Sequence, residues 1–173
     1  MAELEERHIA ESAGLAALLP TEPPGPRLLD VGSGGGFPGI VIAILRPDIQ
    51  VTLLDARSKK TEFLEGIAEE LGLDVTVLRG RAEELVLSEH AGAYDLVTAR
   101  AVAPMARLLP WTLPFLRPAG LLYAVKGERW QEELDGAQVV LRRLRGRVVA
   151  TPTDIGSVAP GAPRTVIVTR APQ

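Results

Sequence analysis

The sequence predicts an α/β fold built on one mostly parallel sheet, and three observations support that prediction. Short runs of aliphatic and β-branched residues alternate with longer helical segments through most of the chain. A glycine-rich turn directly follows the first of these runs, at 32–36. The last two runs follow one another with no predicted helix between them, which indicates an antiparallel hairpin at one edge of the sheet.

Seven strands and four helices are predicted from these patterns. The strands span 27–31, 50–54, 74–78, 94–98, 120–125, 148–153 and 165–169. The helices span 39–45, 59–71, 105–115 and 130–144. The residues before the first strand, 1–26, are predicted to form a short helical lead-in and a proline-rich linker, and 27–173 form the single domain.

Proline and glycine define the ends of the predicted helices. Pro47 ends the first helix, and Gly72 stands at the expected C-cap of the second, whose apolar residues recur at the helical period. Pro110 and Pro114 are expected to shorten or kink the third helix. The segment 156–163 is predicted to be a loop that joins the last two strands.

Composition limits the possible classes of protein. The 173 residues suit one domain, and the 46% hydrophobic share supplies its core. The chain has no cysteine, which excludes disulfides, thiolate metal sites and a covalent thiol mechanism. The apolar stretches are too short for a membrane helix, and the charged N-terminus does not resemble a secretory signal. We therefore expect a cytoplasmic, monomeric protein with no metal and no membrane partner.

The net charge of −3 indicates no general affinity for nucleic acid. RNA binding would therefore need a local basic patch. Two groups of side chains could supply one, although each is also compatible with a solvated helix face. They are Arg57, Lys59 and Lys60, and the run Arg142, Arg143, Arg145 and Arg147.

The glycine turn is the strongest local signal for a ligand. Glycines let the backbone turn tightly and approach a ligand that side chains would exclude, and the open N–H groups of the helix that follows favour an anionic group. The string Gly34-x-Gly36-x-x-Gly39 fits a dinucleotide fold. Asp30-x-Gly32-x-Gly34-x-Gly36 begins inside the strand, which is the register of S-adenosylmethionine folds. The register favours S-adenosylmethionine as the cofactor.

Asp55 ends the second predicted strand, where a carboxylate can accept both ribose hydroxyls of an adenosine. Both cofactor classes need such an acid, so Asp55 does not separate them. The terminal hairpin is unlike a dinucleotide domain, and the second half of the chain has only His90 for a dehydrogenase acid, in a loop. A nicotinamide-dependent oxidoreductase and a non-catalytic S-adenosylmethionine-binding module stay open as alternatives.

Several segments together resemble one family. They are Arg7-His8…Ser12, Asp30-Val-Gly-Ser-Gly-Gly-Gly-Phe-Pro-Gly39, Leu54-Asp55, Arg79-Gly-Arg-Ala-Glu83, Thr98-Ala-Arg-Ala101 and Tyr123-Ala-Val-Lys-Gly127. The sequence resembles the glucose-inhibited division protein B family, the 16S ribosomal RNA guanine-N7 methyltransferases, over roughly residues 7–130. Glu11 stands where the family often has aspartate.

The methyltransferase interpretation predicts a Rossmann-like class I methyltransferase fold with strand order 3-2-1-4-5-7-6. Together with the glycine turn, the resemblance implies a cofactor site. Its predicted residues are Asp30, Gly32, Gly34, Gly36, Phe37, Asp55, Ala56, Arg57, Ala82, Glu83 and Arg100. The resemblance also implies that His8 and Lys126 face the RNA. The predicted partner is 16S rRNA of the small subunit.

The chemistry agrees with guanine N7 as the methyl acceptor. N7 has a free lone pair and no proton to lose, so the reaction needs alignment more than a general base. Methylation of an exocyclic amine typically goes with an Asn/Asp-Pro-Pro-aromatic segment after strand four, where this chain reads Ala99-Arg100-Ala101-Val102. We expect Arg100, at the carboxyl edge of that strand, to lie beside the point of methyl transfer and to be the catalytic residue.

Overall fold

Seven strands form one sheet in the computed structural model, which describes residues 2–21, 25–159 and 162–171. They are β1 (Arg27–Val31), β2 (Gln50–Asp55), β3 (Val75–Arg79), β4 (Tyr94–Arg100), β5 (Leu116–Val125), β6 (Gly146–Ala150) and β7 (Thr165–Arg170). The order is β3-β2-β1-β4-β5-β7-β6. β1 to β5 are parallel, and β7 is antiparallel to both β5 and β6. The predicted fold class and strand order are confirmed.

The helices cover both faces of this sheet. They are α1 (Ala2–Leu18), α2 (Gly39–Leu45), α3 (Ser58–Glu70), α4 (Ala82–Leu85), α5 (Met105–Thr112), α6 (Trp130–Gly136), α7 (Gln138–Arg143) and α8 (Pro152–Val158). A short 3-10 turn, Leu113–Phe115, follows α5. In the described part of the chain, none of the helices combines the length and the apolar character that crossing a membrane would require.

The predicted loop at 156–163 is wrong in its first part, because α8 extends to Val158. Thr151 and Asp154 form a capping box in which the Asp154 carboxylate accepts hydrogen bonds from the Thr151 N–H (2.8 Å) and hydroxyl (2.7 Å). Pro152 occupies the first helical turn, where its missing N–H costs nothing. The strand before α8 consequently ends at Ala150 instead of 153.

The predicted helix 130–144 is two helices, α6 and α7. The Ala137 N–H bonds to the Leu134 carbonyl, a tighter turn than the α-helical pattern. This turn coincides with Gly136, a poor helix former. Ala137 itself is fully buried, so the break is part of how this segment packs on the sheet.

Two apolar layers hold the sheet between its helices. α5, α6 and α7 pack on one face against alternate residues of β1 and β4, among them Leu29 and Val97. α1, α2 and α3 pack on the opposite face against Leu28 and Leu96. Period-two alternation along the strands therefore supplies both layers.

The first helix contributes to this core. Leu15, Ala16 and Leu19 are almost fully buried against α2 and the sheet. The Arg46 guanidinium donates to the carbonyl oxygens of Ala16 (3.3 Å), Leu19 (3.1 Å) and Pro20 (2.9 Å), which ties the end of α1 to the end of α2. The domain boundary at residue 26 stays a prediction.

Candidate functional site

The glycine loop lies at the carboxyl edge of the sheet, next to the crevice between β1 and β4. The strand order reverses at this point, which is where open α/β sheets bind ligands. The N–H groups of Gly32 (2.8 Å) and Ser33 (3.0 Å) donate to the Leu54 carbonyl, so the loop is fastened to the end of β2. Gly36 has φ +92°, and a Cβ there would lie 2.9 Å from Ile40 Cγ1. Only glycine fits this position without backbone strain and a shift of the Ile40 side chain.

Asp30 lies beneath the loop and is fully buried. Its carboxylate accepts hydrogen bonds from the Gly39 N–H (3.1 Å) and the Thr98 hydroxyl (2.8 Å). It thereby joins β1 to the start of α2 and to β4. Burial raises the pKa of Asp30 to about 6, although these hydrogen bonds oppose the shift. Asp30 therefore contributes to a ligand site through the position of the loop.

Asp55 connects the loop with the end of β2. One of its carboxylate oxygens accepts from the Gly34 N–H (3.0 Å) and the other from the Arg57 N–H (2.9 Å). The side chain is partly exposed and lines a cavity of about 230 Å³. Its remaining lone pairs are free to accept from the hydroxyl groups of a ligand.

We call this cavity the adenosine cavity, after the ligand group that the sequence predicts at Asp55. Five of the predicted cofactor residues line it: Gly32, Asp55, Ala56, Ala82 and Glu83. Val102 and Trp111 line it too and are not among the predicted cofactor residues. Trp111 lies on α5, the helix that follows β4. Its place after that strand is the sequence signal that could have identified it as a residue of the site. The lining of the cavity is mostly apolar and includes the side chains of Asp55 and Glu83.

A second cavity, of about 350 Å³, lies at the same edge beyond β4. We call it the basic pocket; its charged and polar residues are Arg7, His8, Glu11, Arg100, Lys126 and Arg164. Arg100 Nη1 lies 3.0 Å from His8 Nδ1 and donates to Glu11 Oε2 at 3.3 Å. Helix α1 therefore forms one wall of the pocket, and the end of β4 forms another.

Phe37 connects the glycine loop with this pocket. The centre of its ring lies 5.6 Å from the Arg100 guanidinium carbon and 5.8 Å from the centre of the His8 ring. The guanidinium is thus within cation–π range of the ring. The structure brings His8, Phe37 and Arg100 together, although 92 residues separate His8 from Arg100.

Lys126 lines the basic pocket, but its ammonium is held by other groups. It donates to the Ala103 carbonyl at 2.6 Å and lies 2.9 Å from a Glu133 carboxylate oxygen, with only 6% of the side chain exposed. These contacts fix the segment after β4 against α6. The predicted contact between Lys126 and RNA stays a prediction and would need this ion pair to open.

The two candidate basic patches lie at opposite edges of the sheet. Arg57, Lys59 and Lys60 stand at the start of α3, directly after Asp55 and beside the adenosine cavity. Arg145 and Arg147 flank Gly146, which pairs with Arg170 at the end of β7. Since β7 is antiparallel to β5, that end lies at the amino edge, away from the glycine loop. Among the described residues, no cluster of three or more histidine, aspartate or glutamate side chains could hold a metal ion.

Comparison with known proteins gives one family. The model of the family described as rRNA small subunit methyltransferase G matches residues 1–157. A ribosomal RNA small subunit methyltransferase G from Sorangium cellulosum is 49% identical over 155 residues, covering 87% of this chain and 65% of the relative. The protein of that name from Mycolicibacterium smegmatis is 44% identical, covering 94% and 67%. The chain thus spans about two thirds of the length of these relatives.

Solved structures with much lower identity share the fold. An S-adenosylmethionine-dependent O-methyltransferase from Thermotoga maritima has a TM-score of 0.65 at 17% identity, covering 94% of this chain and 65% of that one. The [4+2]-cyclase SpnF has a TM-score of 0.70 at 19% identity, covering 94% and 80%. The chain therefore has the Rossmann-like class I methyltransferase fold, which these proteins use for different reactions.

Proposed function

The chain belongs to the rRNA small subunit methyltransferase G family, and from this premise we propose that it transfers a methyl group from S-adenosylmethionine to N7 of a guanosine in 16S rRNA. The observation that carries the proposal is the pair of cavities at one edge of the sheet. The segment after β4 lies between the two cavities. Val102 lines the adenosine cavity, and Ala101 lines the basic pocket. A cofactor and a nucleotide can thus meet at the crevice between β1 and β4.

The residues of the adenosine cavity fit S-adenosylmethionine. Asp55 would accept the ribose hydroxyls, and Ala82 and Glu83 would contact the adenine. Gly34 and Gly36 keep the loop open to the methionine part, since glycine carries no side chain and adopts the positive φ angles that the turn requires. Arg57 would contribute through its backbone N–H, which already fixes Asp55.

Methyl transfer to guanine N7 requires little acid–base chemistry from the protein. S-adenosylmethionine, when bound, supplies an electrophilic methyl group on a sulfonium. N7 of guanine attacks with its lone pair and releases no proton, so the chain needs no general base. Arg100 and Phe37, beside the crevice, would align the base and exclude water.

The RNA side of the site would be the basic pocket. Arg7, Arg100 and Arg164 line it and provide guanidinium groups suited to phosphates. His8 faces the same space from α1. We keep a cytoplasmic location and a monomeric state as predictions from the sequence. Family membership argues against the nicotinamide-dependent oxidoreductase, while the non-catalytic module is an outcome of the test below.

The test is methyl transfer from labelled S-adenosylmethionine to protein-free 16S rRNA and to small ribosomal subunits, followed by mass mapping of the product. We expect one 7-methylguanosine. Arg100→Ala should lower the rate at least tenfold, and Arg142→Ala, an exposed arginine at the amino edge, should leave it unchanged. Cofactor binding without transfer to either substrate would indicate a non-catalytic module. A methyl group on another atom would refute the N7 assignment.

A further inference from the structure

The basic pocket contains one carboxylate among its described lining residues, that of Glu11. We propose that Glu11 recognises the target base, by accepting hydrogen bonds from N1–H and N2–H of the guanine. The inference rests on the proposed function, because it assumes that a guanine enters this pocket. It adds a specificity-determining residue that the glycine turn and the cofactor site do not supply.

Glu11 is held in place from two sides. Its Oε1 accepts from Arg7 Nε at 2.9 Å, and its Oε2 accepts from Arg100 Nη1 at 3.3 Å. With 28% of its side chain exposed, the carboxylate still faces the pocket. An ionised carboxylate has about four acceptor positions. Two are used by the arginines, and one on each oxygen is left for a ligand.

The direction of the base follows from the position of the crevice. Arg100 ends β4, which borders the crevice where the methyl group would be transferred. A guanine with N7 toward the crevice turns its N1–H and N2–H donors to the opposite side, because these groups lie at the far edge of the purine. Glu11 belongs to the α1 wall of the pocket, whereas Arg100 belongs to the β4 wall that borders the crevice. A guanine held between the two walls would present these donors to Glu11. Two parallel donors match the two oxygens of one carboxylate.

The same contact discriminates between bases. Adenine has an acceptor at N1, which would oppose the carboxylate, whereas guanine has a donor there.

The reaction also changes the charge of the base. A bond forms between N7 and the methyl carbon, the carbon–sulfur bond breaks with its electron pair going to sulfur, and the positive charge moves to the purine. A carboxylate at N1–H would stabilise that charge as it develops.

The experiment combines variants of Glu11 with a changed base. Wild type first methylates 16S rRNA, and mass mapping identifies the position. A ligated 16S rRNA then carries inosine there, which lacks the N2 amino group but keeps N7. Glu11→Gln, Glu11→Asp and the matched control Glu6→Gln, an exposed glutamate on the same helix, are assayed on both RNAs under single-turnover conditions. Binding of S-adenosylhomocysteine is measured in parallel.

We expect Glu11→Gln to lower the rate on the guanosine RNA about 10- to 100-fold, with the affinity for S-adenosylhomocysteine unchanged. Glu11→Asp should keep most of the rate, and Glu6→Gln should match wild type. Inosine should slow wild type about tenfold but slow Glu11→Gln less than about threefold, because the lost contact is the same.

Two results would overturn the inference. One is a Glu11→Gln variant as fast as wild type. The other is an equal inosine effect in wild type and Glu11→Gln, which would mean that Glu11 acts only by holding Arg100 or α1. Failure of wild type to methylate any guanine N7 would instead refute the proposed function, so the two failures are distinguishable.

Discussion

Asp55 joins three parts of the site: the end of β2, the glycine loop and the adenosine cavity. We expect Asp55→Asn to raise the dissociation constant of S-adenosylhomocysteine about 10- to 100-fold, because a hydrogen bond to a charged acceptor contributes roughly 1.5–3 kcal/mol. Isothermal titration calorimetry would measure this. Glu62→Gln, an exposed carboxylate on α3, is the control. A dissociation constant within threefold of wild type would place the ribose elsewhere.

Asp30 gives a prediction for the pH dependence of stability. Its pKa in the folded protein is raised to about 6, above the value near 4 of an unfolded aspartate. Between these values the folded state binds the proton and the unfolded state does not, so the free energy of unfolding falls as the pH rises from about 4 to about 6. Above pH 6 this contribution is constant.

Urea unfolding of wild type and Asp30→Asn at several pH values would check this dependence. Asparagine cannot titrate, so the free energy of unfolding of wild type minus that of the variant should decline through the same window. Subtracting the variant removes the effects of the other titrating groups. A difference that stays flat from pH 4 to pH 7 would contradict the raised pKa.

The stability of the glycine loop depends on the backbone conformation of single residues. Gly36→Ala should lower the free energy of unfolding by about 1–3 kcal/mol, since the residue has φ +92° and its Cβ would meet Ile40. Gly66, inside α3, has open space around it, so Gly66→Ala should raise stability by about 0.5–1 kcal/mol. Urea unfolding midpoints would show the opposite signs. Equal effects would mean that the loop is not conformationally constrained.

Element boundaries were predictable where the signal is local. The helix 59–71 and its C-terminal glycine were found within one residue, since α3 ends at Glu70 and Gly72 has φ +63°. The capping box at Thr151 is also a local signal, although the glycines and prolines that follow it favour the prediction of a loop. The break at Ala137 depends on packing against the sheet, so periodicity alone could not locate it.

The distribution of positive charge over the whole molecule predicts which basic patch binds RNA. The start of α3 lies at the edge that holds the site, whereas the end of α7 lies at the opposite edge. Lys59→Gln with Lys60→Gln should raise the KM for 16S rRNA several-fold. It should also reduce the slope of log KM against log salt by up to about 2, since each neutralised phosphate contributes about 0.7 to 0.9.

The matched double variant is Arg142→Gln with Arg143→Gln, which removes the same charge from the amino edge. Its KM and salt dependence should stay close to those of wild type. Steady-state methylation at salt concentrations from about 50 to about 200 mM would measure both the KM and its salt dependence. A larger effect from the α7 pair would mean that the RNA wraps around the sheet to the amino edge.

At this scale the sequence determined the strands and most of the helices, because alternation along strands, helical periodicity and turn chemistry act over a few residues. The strand order was predicted by the methyltransferase interpretation and not by these local patterns. The sequence also placed Asp55 and the glycine loop, which lie at the carboxyl ends of strands. Only the tertiary structure decided the surroundings of Arg100, Glu11 and Lys126. Arg100 and Glu11 meet across 89 residues, and Lys126 is paired with Glu133. Such contacts depend on how α1 and α6 pack on the sheet, and no local pattern encodes that packing.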